Sequence, residues 1–497
     1  MSNTSPALPT SEKKLANENI KNTWVCPEFK VSGVFSSHMV LQKEQPILIW
    51  GFSTAVGSTV KGEFMGEGSF TTVGEDNTWT LRFLPHLCVY EPQTMKIYDD
   101  LGHEVVFDDI LVGDVWFIGG QSNAELNLAP CMALTPSVDF YDGDNFRLFS
   151  QTQAYVYMNQ QYCEEPQPDV INADWCWKRP DEAASLSFSA LGYYFGREMI
   201  KKTDVPIGLV MMCAGGACIR ELVPEALATE LGYSYGNNVR MSGYYNTLIH
   251  PFLKLAFKGM MYFQGESEGC DPNLAPKYDI ELATLVADER MRFGRDFPFY
   301  NVQISSYREE GKQFFPWLDV VRVKQFDALR LIPNSTLSVS MDLGSPEGYE
   351  DWAHSPRKLE LAERLSALIL AREYGVGKES EVSSPMPISA RLSADKSKIE
   401  IDFINVSAGL CTSGLDPVSS LDCEVQGFSV GQRDAQTPCK ATITSRCRVT
   451  VEIPDGVSAE QVSQVNYAYF SIVTPENATL RGGNNLPAPA FSLKITE

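Results

Sequence analysis

The stretch that decides the fold is residues 115–125, VWFIGGQSNAE. Its four apolar residues predict a short buried strand, and Gly119 and Gly120 then allow the backbone to turn sharply. Ser122 follows the turn, and the residues after it can begin a helix. This order presents a hydroxyl beside helix N–H groups that can stabilise an oxyanion, so Ser122 is a candidate nucleophile. Taken alone, the stretch also fits a glycine-rich turn with an incidental serine.

Apolar strand candidates alternate with helix candidates from about residue 107. The strand candidates are residues 115–118, 207–213, 259–263, 299–304 and 336–341. Apolar residues at helical spacing predict helices over 191–202 and 357–373. This alternation predicts an α/β fold with a parallel sheet and helices on both faces, in which sites form at the carboxyl ends of strands. Ser122 and Glu266 both follow predicted strand ends.

The two ends of the chain have the pattern of antiparallel β structure. Residues 29–106 contain short alternating apolar runs separated by Gly, Pro, Asn and Asp, which predict an N-terminal β module. The α/β domain is expected over 107–376, a linker rich in Glu, Ser and Pro over 377–388, and a second β module over 389–497. Residues 1–28 have too few apolar side chains to order them, which predicts a flexible leader. The sequence leaves open whether the two β stretches pack together.

Length and charge exclude some classes of partner. The chain has 497 residues, enough for two or three domains on the usual domain size. The 63 acidic residues outnumber 41 basic ones and give a net charge of −22, which argues against a nucleic-acid partner. No apolar run is long enough to cross a membrane, so no membrane partner is expected. An oligomer is compatible with the sequence.

The cysteines and the N-terminus indicate a cytoplasmic protein. The chain has 12 cysteines and no Cys-x-x-Cys pair, so neither a zinc site nor a redox motif is expected. Residues 1–21 are polar and lack the apolar core of a secretory signal. Mostly free thiols are therefore expected. A secretory signal removed before this sequence begins is the alternative.

Two further blocks change the interpretation of Ser122. Residues 262–268, YFQGESE, end a second apolar run, and residues 351–356, DWAHSP, precede a helix. Together with GQSN at 120–123, they resemble the sialate O-acetylesterase-like carbohydrate esterases of the SGNH hydrolase superfamily. In that family the serine lies in a Gly-Gln-Ser-Asn block, the middle block is Gln-Gly-Glu, and a histidine lies near Pro and Lys, here His354 and Lys358. The resemblance extends from about residue 33 to the C-terminus.

The resemblance implies a fold and a reaction class. The expected fold is an SGNH-hydrolase three-layer parallel-sheet catalytic domain flanked by N- and C-terminal antiparallel β segments. The expected protein is a serine esterase that needs no metal and no organic cofactor. Ala124 and Ala217 replace residues that are often methionine and threonine in the family, and these smaller side chains are expected to widen the acyl or sugar pocket.

Ester hydrolysis needs a nucleophile and a base. Ser122 is the nucleophile candidate, and His354, in a loop between a strand and a helix, is the base candidate. Asp351 lies three residues before His354, a spacing that can bring its carboxylate to Nδ1 and orient Nε2 toward Ser122. Asp-x-x-His is the usual superfamily form. Asp342 and Glu350 remain alternatives for the orienting acid.

Three donors are expected around the oxyanion. The first is the backbone N–H of Ser122. The second is a glycine N–H of the MCAGGA segment at 212–217, where the family's second block favours Gly216 over Gly215. The third is the side-chain amide of Gln264, since the family has Gln-Gly-Glu where the wider superfamily has an asparagine.

Other residues near these blocks are expected to support the site or contact substrate. Glu266 is expected to be structural and to accept hydrogen bonds from the backbone or from Gln121 and Asn123. Arg220 is either an anchor for a substrate hydroxyl or carboxylate or a surface arginine. Trp352 either stacks on a sugar ring or belongs to the core.

The sequence thus favours one function over two others. The favoured function is removal of O-acetyl groups from a sugar through an acetyl-serine intermediate. The substrate is an O-acetylated sialic acid or an acetylated xylo- or manno-oligosaccharide. The alternative from another class is a carbohydrate-binding protein on an inactive esterase fold. A lipase or thioesterase would need a broad apolar acyl pocket, which the sequence cannot show.

Overall fold

The computed structural model describes most of the chain. The described residues are 24–132, 134, 138, 140–151, 162–234, 241–307, 315–347, 349 and 351–496. The predicted leader, residues 1–28, lies mostly outside them. The fold is a mixed α/β fold built on an 11-stranded sheet that contains parallel strands.

Seven strands form the N-terminal β structure. They are β1 (Lys30–Val31), β2 (Val40–Gln42), β3 (Ile47–Phe52), β4 (Thr59–Phe64), β5 (Glu67–Thr72), β6 (Thr78–Phe83) and β7 (Val89–Asp99). Strands β1, β3 and β6 form an antiparallel sheet, and β4 pairs antiparallel with β5 and β7. Alternate residues of β4 and β6 are buried, as expected for sheets with one face toward a core.

One long strand joins this β structure to the central sheet. Strand β8 (Glu104–Gly120) has 17 residues and passes through the predicted domain boundary at residue 106. Its first part pairs antiparallel with β7, and its second part lies between two parallel neighbours. Burial changes from alternating to continuous along the strand, because parallel sheets are covered on both faces.

The central sheet contains six further strands. They are β9 (Phe146–Ser150), β10 (Trp177–Lys178), β11 (Ile207–Cys213), β12 (Gly259–Phe263), β13 (Phe299–Gln303) and β14 (Ser335–Val339). Their order is β10-β9-β11-β8-β12-β13-β14, and every pair except β10–β9 is parallel. The predicted parallel sheet is confirmed, with all five predicted strands in it.

The sequence did not predict β9. This strand carries Arg147, which interrupts the apolar run even though the side chain is fully buried. The Arg147 guanidinium donates to both carboxylate oxygens of Asp109 at 3.0 and 3.2 Å. A partner 38 residues away in the sequence therefore allows a charged residue in a buried strand.

Ten α-helices lie in the described residues. They are α1 (Ser122–Glu125), α2 (Leu128–Cys131), α3 (Glu182–Leu186), α4 (Ala190–Lys202), α5 (Ile219–Leu222), α6 (Glu225–Glu230), α7 (Tyr278–Phe293), α8 (Leu318–Ala328), α9 (Lys358–Glu373) and α10 (Glu379–Val382). Helices α4 and α9 correspond to the two predicted helices. The Ser189 hydroxyl caps α4 by accepting the Gly192 N–H at 3.1 Å. Helix α10 lies within the predicted linker.

Eleven strands form the C-terminal β structure. They are β15 (Met386–Leu392), β16 (Lys398–Ile404), β17 (Leu410–Thr412), β18 (Glu424–Val425), β19 (Phe428–Val430), β20 (Thr437–Pro438), β21 (Ala441–Ser445), β22 (Arg448–Glu452), β23 (Gln464–Tyr467), β24 (Leu480–Gly482) and β25 (Phe491–Lys494). All their pairings with one another are antiparallel.

The two β stretches belong to different cores. The N-terminal strands share one hydrophobic core with most of the α/β elements. The C-terminal strands form a second core with apolar residues of α8 and β14. The Gln303 side chain joins this second core to the central sheet by bonding both the N–H and the carbonyl of Ala490, at 2.9 and 3.0 Å. No strand pairing joins the two β stretches in the part of the chain that the structure describes.

Gly120 ends β8 in a conformation that other residues rarely adopt. Its φ is +133°, and an alanine Cβ there would lie 2.1 Å from the Phe263 carbonyl oxygen. We expect Gly120→Ala to destabilise the protein by about 2 kcal/mol or more, since strained backbone of this kind costs about 1–3 kcal/mol and a backbone clash adds to it. Thermal melting followed by circular dichroism measures the loss. Gly68→Ala is the control, since its Cβ meets nothing within 4 Å; equal melting temperatures for the two variants would contradict the prediction.

Candidate active site

The serine predicted as nucleophile lies where a strand ends and a helix begins. Ser122 is the first residue of α1 and follows Gly120 by two residues. It is only 2% exposed, and its Oγ lies 2.9 Å from Nε2 of His354. The first N–H groups of a helix have no partner within the helix. No residue that the structure describes accepts a hydrogen bond from the Ser122 N–H.

The histidine is held by the predicted carboxylate. Nδ1 of His354 lies 2.9 and 3.1 Å from the two carboxylate oxygens of Asp351. The backbone N–H groups of Ala353 and His354 also donate to Asp351 Oδ1, at 3.2 and 3.1 Å. A carboxylate beside Nδ1 favours the tautomer with the proton there, which leaves Nε2 to accept the Ser122 proton. Asp351 and His354 can therefore together remove the proton from the Ser122 hydroxyl.

Two opposing effects set the charge of Asp351. Partial burial raises the pKa of Asp351, but the hydrogen bond and charge of His354 and the two backbone N–H groups outweigh it. The pKa of Asp351 is therefore held below its ordinary value, and the carboxylate stays ionised at neutral pH.

Of the alternative acids, Asp342 does not contact the histidine. Arg364 donates to both carboxylate oxygens of Asp342, at 2.7 and 2.9 Å, and Arg481 lies 3.3 Å from it. These contacts fix the base of the histidine loop, so Asp342 has a structural role. Glu350 lies outside the described residues.

The two glycines of the predicted oxyanion turn differ in their contacts. The Gly215 N–H donates to Glu125 Oε2 at 2.7 Å. Gly216 has a φ of +72°, and open space surrounds the position that a Cβ would take. Among the described residues, none accepts a hydrogen bond from the Gly216 N–H. This difference favours Gly216 as a donor to a ligand, in agreement with the family's pattern.

The Gln264 amide does not fit the oxyanion role that the sequence suggested. Its nitrogen donates to Gln121 Oε1 at 3.2 Å, to the Ala217 carbonyl at 3.0 Å and to Glu268 Oε2. Its oxygen accepts the Tyr278 hydroxyl at 2.8 Å. An amide has two N–H bonds, so three protein acceptors leave none for substrate. Gln264 instead holds the glycine turn against the end of β12, and we correct its predicted role accordingly.

Asn123 is the centre of a buried polar network. Its amide nitrogen lies 2.8 Å from Glu266 Oε1, 2.8 Å from the Tyr307 hydroxyl and 3.1 Å from the Ala353 carbonyl. Its oxygen accepts from Lys358 Nζ at 2.7 Å. Asn123 therefore joins the serine helix to the loop of His354, and Glu266 has the structural contacts that the sequence predicted. No bond joins Glu266 to Gln121, whose Oε1 accepts instead from Gln264 Nε2 and from the N–H groups of Gly265 and Ser267.

Three supporting residues were not predicted from the sequence. Lys358 begins α9 and was noted only as part of the family motif, although its position four residues after His354 was a usable signal. Tyr307 donates to Glu266 Oε1 at 2.8 Å, and Glu125 contacts the glycine turn. Nothing in the local pattern around Tyr307 or Glu125 identifies these contacts.

Two predicted substrate residues have different surroundings. The Arg220 guanidinium lies over the ring of Tyr233, 5.6 Å from its centre, and no described contact joins it to Ser122 or His354. The half-buried Trp352 ring lies 6.1 Å from the Tyr307 ring and 5.8 Å from the Phe315 ring. These three rings form an aromatic wall beside the histidine loop.

The two small residues near the site lie in the core. Ala124 and Ala217 are both completely buried within the main core. Neither methyl group reaches the surface, and the expected widening of the acyl or sugar pocket stays a prediction.

Three further features of the described residues bear on other chemistry. They contain no group of three or more His, Cys, Asp or Glu side chains placed to hold a metal ion. No helix among them has the length and apolar character to cross a bilayer. All 12 cysteines lie in this part of the chain and are free thiols.

A hydroxyl, an imidazole and a carboxylate in hydrogen-bonded sequence, beside unpaired N–H groups, are the groups that ester-cleaving enzymes use. Comparison with known proteins agrees with this class. The family described as carbohydrate esterase, sialic acid-specific acetylesterase, matches residues 112–369, just over half of the chain. The chain belongs to this family and is an esterase.

Individual relatives extend the similarity beyond the catalytic region. Human sialate O-acetylesterase is 26% identical over 416 residues, which cover 76% of each chain. The rat sialate O-acetylesterase is 26% identical over 547 residues, covering 94% of this chain and 95% of its own. The crystal structure of a carbohydrate acetylesterase from Xanthomonas citri is 26% identical, with a TM-score of 0.79, and the match covers 93% of this chain and 99% of that one.

Burial of Lys358 predicts a pH-dependent contribution to stability. Burial lowers the pKa of Lys358 to about 8, despite the opposing effects of Cys131, Glu266 and Asp351. A lysine in the unfolded chain has a pKa of about 10.4, so between these pH values the unfolded state binds more protons and stability rises with pH. We therefore expect the melting temperature of wild type minus that of Lys358→Met to increase from pH 7.5 to pH 10.

Parallel melts of Lys201→Met, which removes a half-exposed lysine of α4, provide the matched control. The difference between wild type and this control is expected to stay constant over the same pH range. A constant difference for Lys358→Met as well would show that Lys358 has an ordinary pKa in the folded protein.

Proposed function

We propose that this esterase removes O-acetyl groups from sugars through an acetyl-serine intermediate. The observation that carries the proposal is the 2.9 Å contact between Ser122 Oγ and His354 Nε2, with Asp351 on the opposite nitrogen. Membership of a family of carbohydrate acetylesterases supplies the substrate class. Both relatives with the name sialate O-acetylesterase and the Xanthomonas citri carbohydrate acetylesterase support it.

The first half of the reaction forms the acetyl-enzyme. Ser122 Oγ attacks the acetyl carbonyl carbon while His354 Nε2 takes the hydroxyl proton. Asp351 keeps the imidazole oriented and stabilises its positive charge. The N–H groups of Ser122 and Gly216 donate to the oxyanion of the tetrahedral intermediate. His354 then gives its proton to the sugar oxygen, the carbon–oxygen bond breaks, and the deacetylated sugar leaves.

The second half releases acetate. A water molecule attacks the acetyl-serine carbonyl and gives a proton to His354. The second tetrahedral intermediate collapses, the proton returns from His354 to Ser122 Oγ, and acetate departs. The same two N–H groups stabilise both intermediates, so the site needs one arrangement for the whole cycle.

The sugar is proposed from the relatives and from the aromatic wall. We take O-acetylated sialic acid as the first candidate, because the family and the curated relatives are named for it. Acetylated xylo- and manno-oligosaccharides are the second candidate, since the solved relative is named only as a carbohydrate acetylesterase. The half-buried rings of Phe315 and Trp352 offer apolar faces on which a sugar can stack.

The competing function is sugar binding without catalysis. An inactive esterase fold would be expected to have lost one of the reacting groups, whereas Ser122, His354 and Asp351 are all present at hydrogen-bonding distances. This observation weighs against the binding-only alternative. The cytoplasmic location stays a prediction.

Ser122→Ala is expected to lower the rate of acetate release from an activated acetyl ester by about 10³-fold or more, because the nucleophile is lost and only binding and the oxyanion donors remain. The melting temperature of Ser122→Ala should differ from that of wild type by less than the melting temperature of a variant with a truncated core side chain does. Ser187→Ala, which removes an exposed serine hydroxyl, should keep full activity. An active Ser122→Ala enzyme would mean that another group attacks the ester.

A substrate panel tests the sugar and the acyl group. We expect acetate release from O-acetylated sialic acid to exceed that from acetylated xylo- and manno-oligosaccharides, measured as kcat/KM. With one activated leaving group, rates should fall steeply from acetyl to butyryl to octanoyl esters. The reverse order of sugars would assign a plant-type glycan substrate, and equal rates for all three acyl chains would favour a lipase or thioesterase.

A further inference from the structure

Glu125 is a buried carboxyl group that the proposed reaction does not use. It is the last residue of α1, three residues after Ser122, and is 3% exposed. Its carboxylate reaches across to the adjacent loop and accepts the Gly215 N–H at 2.7 Å. No charged side chain among the described residues forms an ion pair with it. A group of this kind is costly to bury, so its contacts deserve a functional explanation.

The glycine turn needs such a contact. Gly215 and Gly216 lack side chains, and Gly216 has a positive φ with open space on its Cβ side. The residues that flank the pair are held by other bonds. The Ala214 N–H donates to the Gly120 carbonyl at 3.1 Å, and the Ala217 carbonyl accepts from Gln264 at 3.0 Å. The Glu125 carboxylate, by contrast, accepts a hydrogen bond from the glycine pair itself, through the Gly215 N–H.

We infer that Glu125 is a positioning residue that holds the Gly215–Gly216 turn so that the Gly216 N–H faces the oxyanion. The inference rests on the proposed esterase reaction. Because Glu125 and Ser122 both lie on α1, this short helix positions the nucleophilic hydroxyl and, through Glu125, also the Gly216 N–H. A shift of about 1 Å in such a donor is enough to reduce catalysis substantially.

The charge of Glu125 makes the role measurable. Burial raises the pKa of Glu125 to about 7, while the Gly215 N–H acts in the opposite direction. A titratable group that faces it from β11 is the Cys213 thiol, whose own pKa is raised by burial, so that it stays neutral. The ionised carboxylate accepts the Gly215 N–H more strongly than the protonated form does. The turn is therefore held more firmly as the pH rises through neutrality.

The test compares three variants with wild type in acetate release from an activated acetyl ester between pH 5.5 and pH 8.5. Glu125→Ala removes the acceptor and should lower kcat about 10- to 100-fold with KM changed less than twofold. Glu125→Gln keeps an acceptor and removes the titration. Glu289→Gln is the matched control, because Glu289 is also buried, has a pKa raised by burial to about 8, and lies on α7.

For wild type, ionisation of Glu125 should make log kcat rise more steeply between pH 5.5 and pH 8.5 than in Glu125→Gln. Glu125→Gln should lack this additional rise, and its kcat at pH 8.5 should lie between those of Glu125→Ala and wild type, because its neutral amide oxygen is a weaker acceptor than the carboxylate. Glu289→Gln should match wild type in both respects. Unchanged kcat in Glu125→Ala, or an unchanged slope in Glu125→Gln, would overturn the inference.

Ser122→Ala measured beside these variants separates the two proposals. If wild type releases acetate and Ser122→Ala does not, the esterase reaction holds, and the Glu125 variants alone decide the positioning role. If wild type and Ser122→Ala behave alike, the proposed reaction fails, and with it the positioning role. Melting temperatures of all variants show whether Glu125→Ala folds, and the isosteric Glu125→Gln keeps the test decisive if it does not.

Discussion

The close contact between the ends of three parallel strands constrains everything at the site. Gly120, at the end of β8, lies against the backbone of Phe263, at the end of β12, and the Gln121 N–H donates to the Phe263 carbonyl at 3.1 Å. On the other side, the Ala214 N–H after β11 donates to the Gly120 carbonyl at 3.1 Å. Three loops therefore leave the sheet side by side, and the side chains of Gln121 and Gln264, at the start of two of them, meet at 3.2 Å.

Buried polar groups then fix what the strand ends bring together. Burial raises the pKa of Glu268 to about 8 in spite of its bonds to Ile219 and Gln264, and it lowers that of Lys358. Such groups are destabilising when they lack partners, and each has a partner from another segment: the Ile219 N–H donates to Glu268, and Lys358 donates to Asn123. The cost of burial thus selects one arrangement of the loops. Perturbed titratable groups concentrated in one place are typical of functional sites.

The sequence predicted the parts of the fold that depend on neighbouring residues. Apolar runs identified five strands of the central sheet, and helical spacing identified α4 and α9. Strand β9 was missed because the buried Arg147 depends on Asp109, a partner that local pattern cannot supply. The role of Gln264 was wrong for the same reason, because its acceptors come from three different segments.

The sequence by itself determined the reacting groups and their order, because a nucleophilic serine after a glycine turn and a histidine with a nearby acid are recognisable from residue type and spacing. Only the tertiary structure decided which carboxylate meets His354, which glycine N–H has no acceptor among the described residues, and which of Glu125, Glu266 and Gln264 support other residues. These choices depend on hydrogen bonds between loops far apart in the chain, and the distance between such loops is set by the register of the strands that carry them.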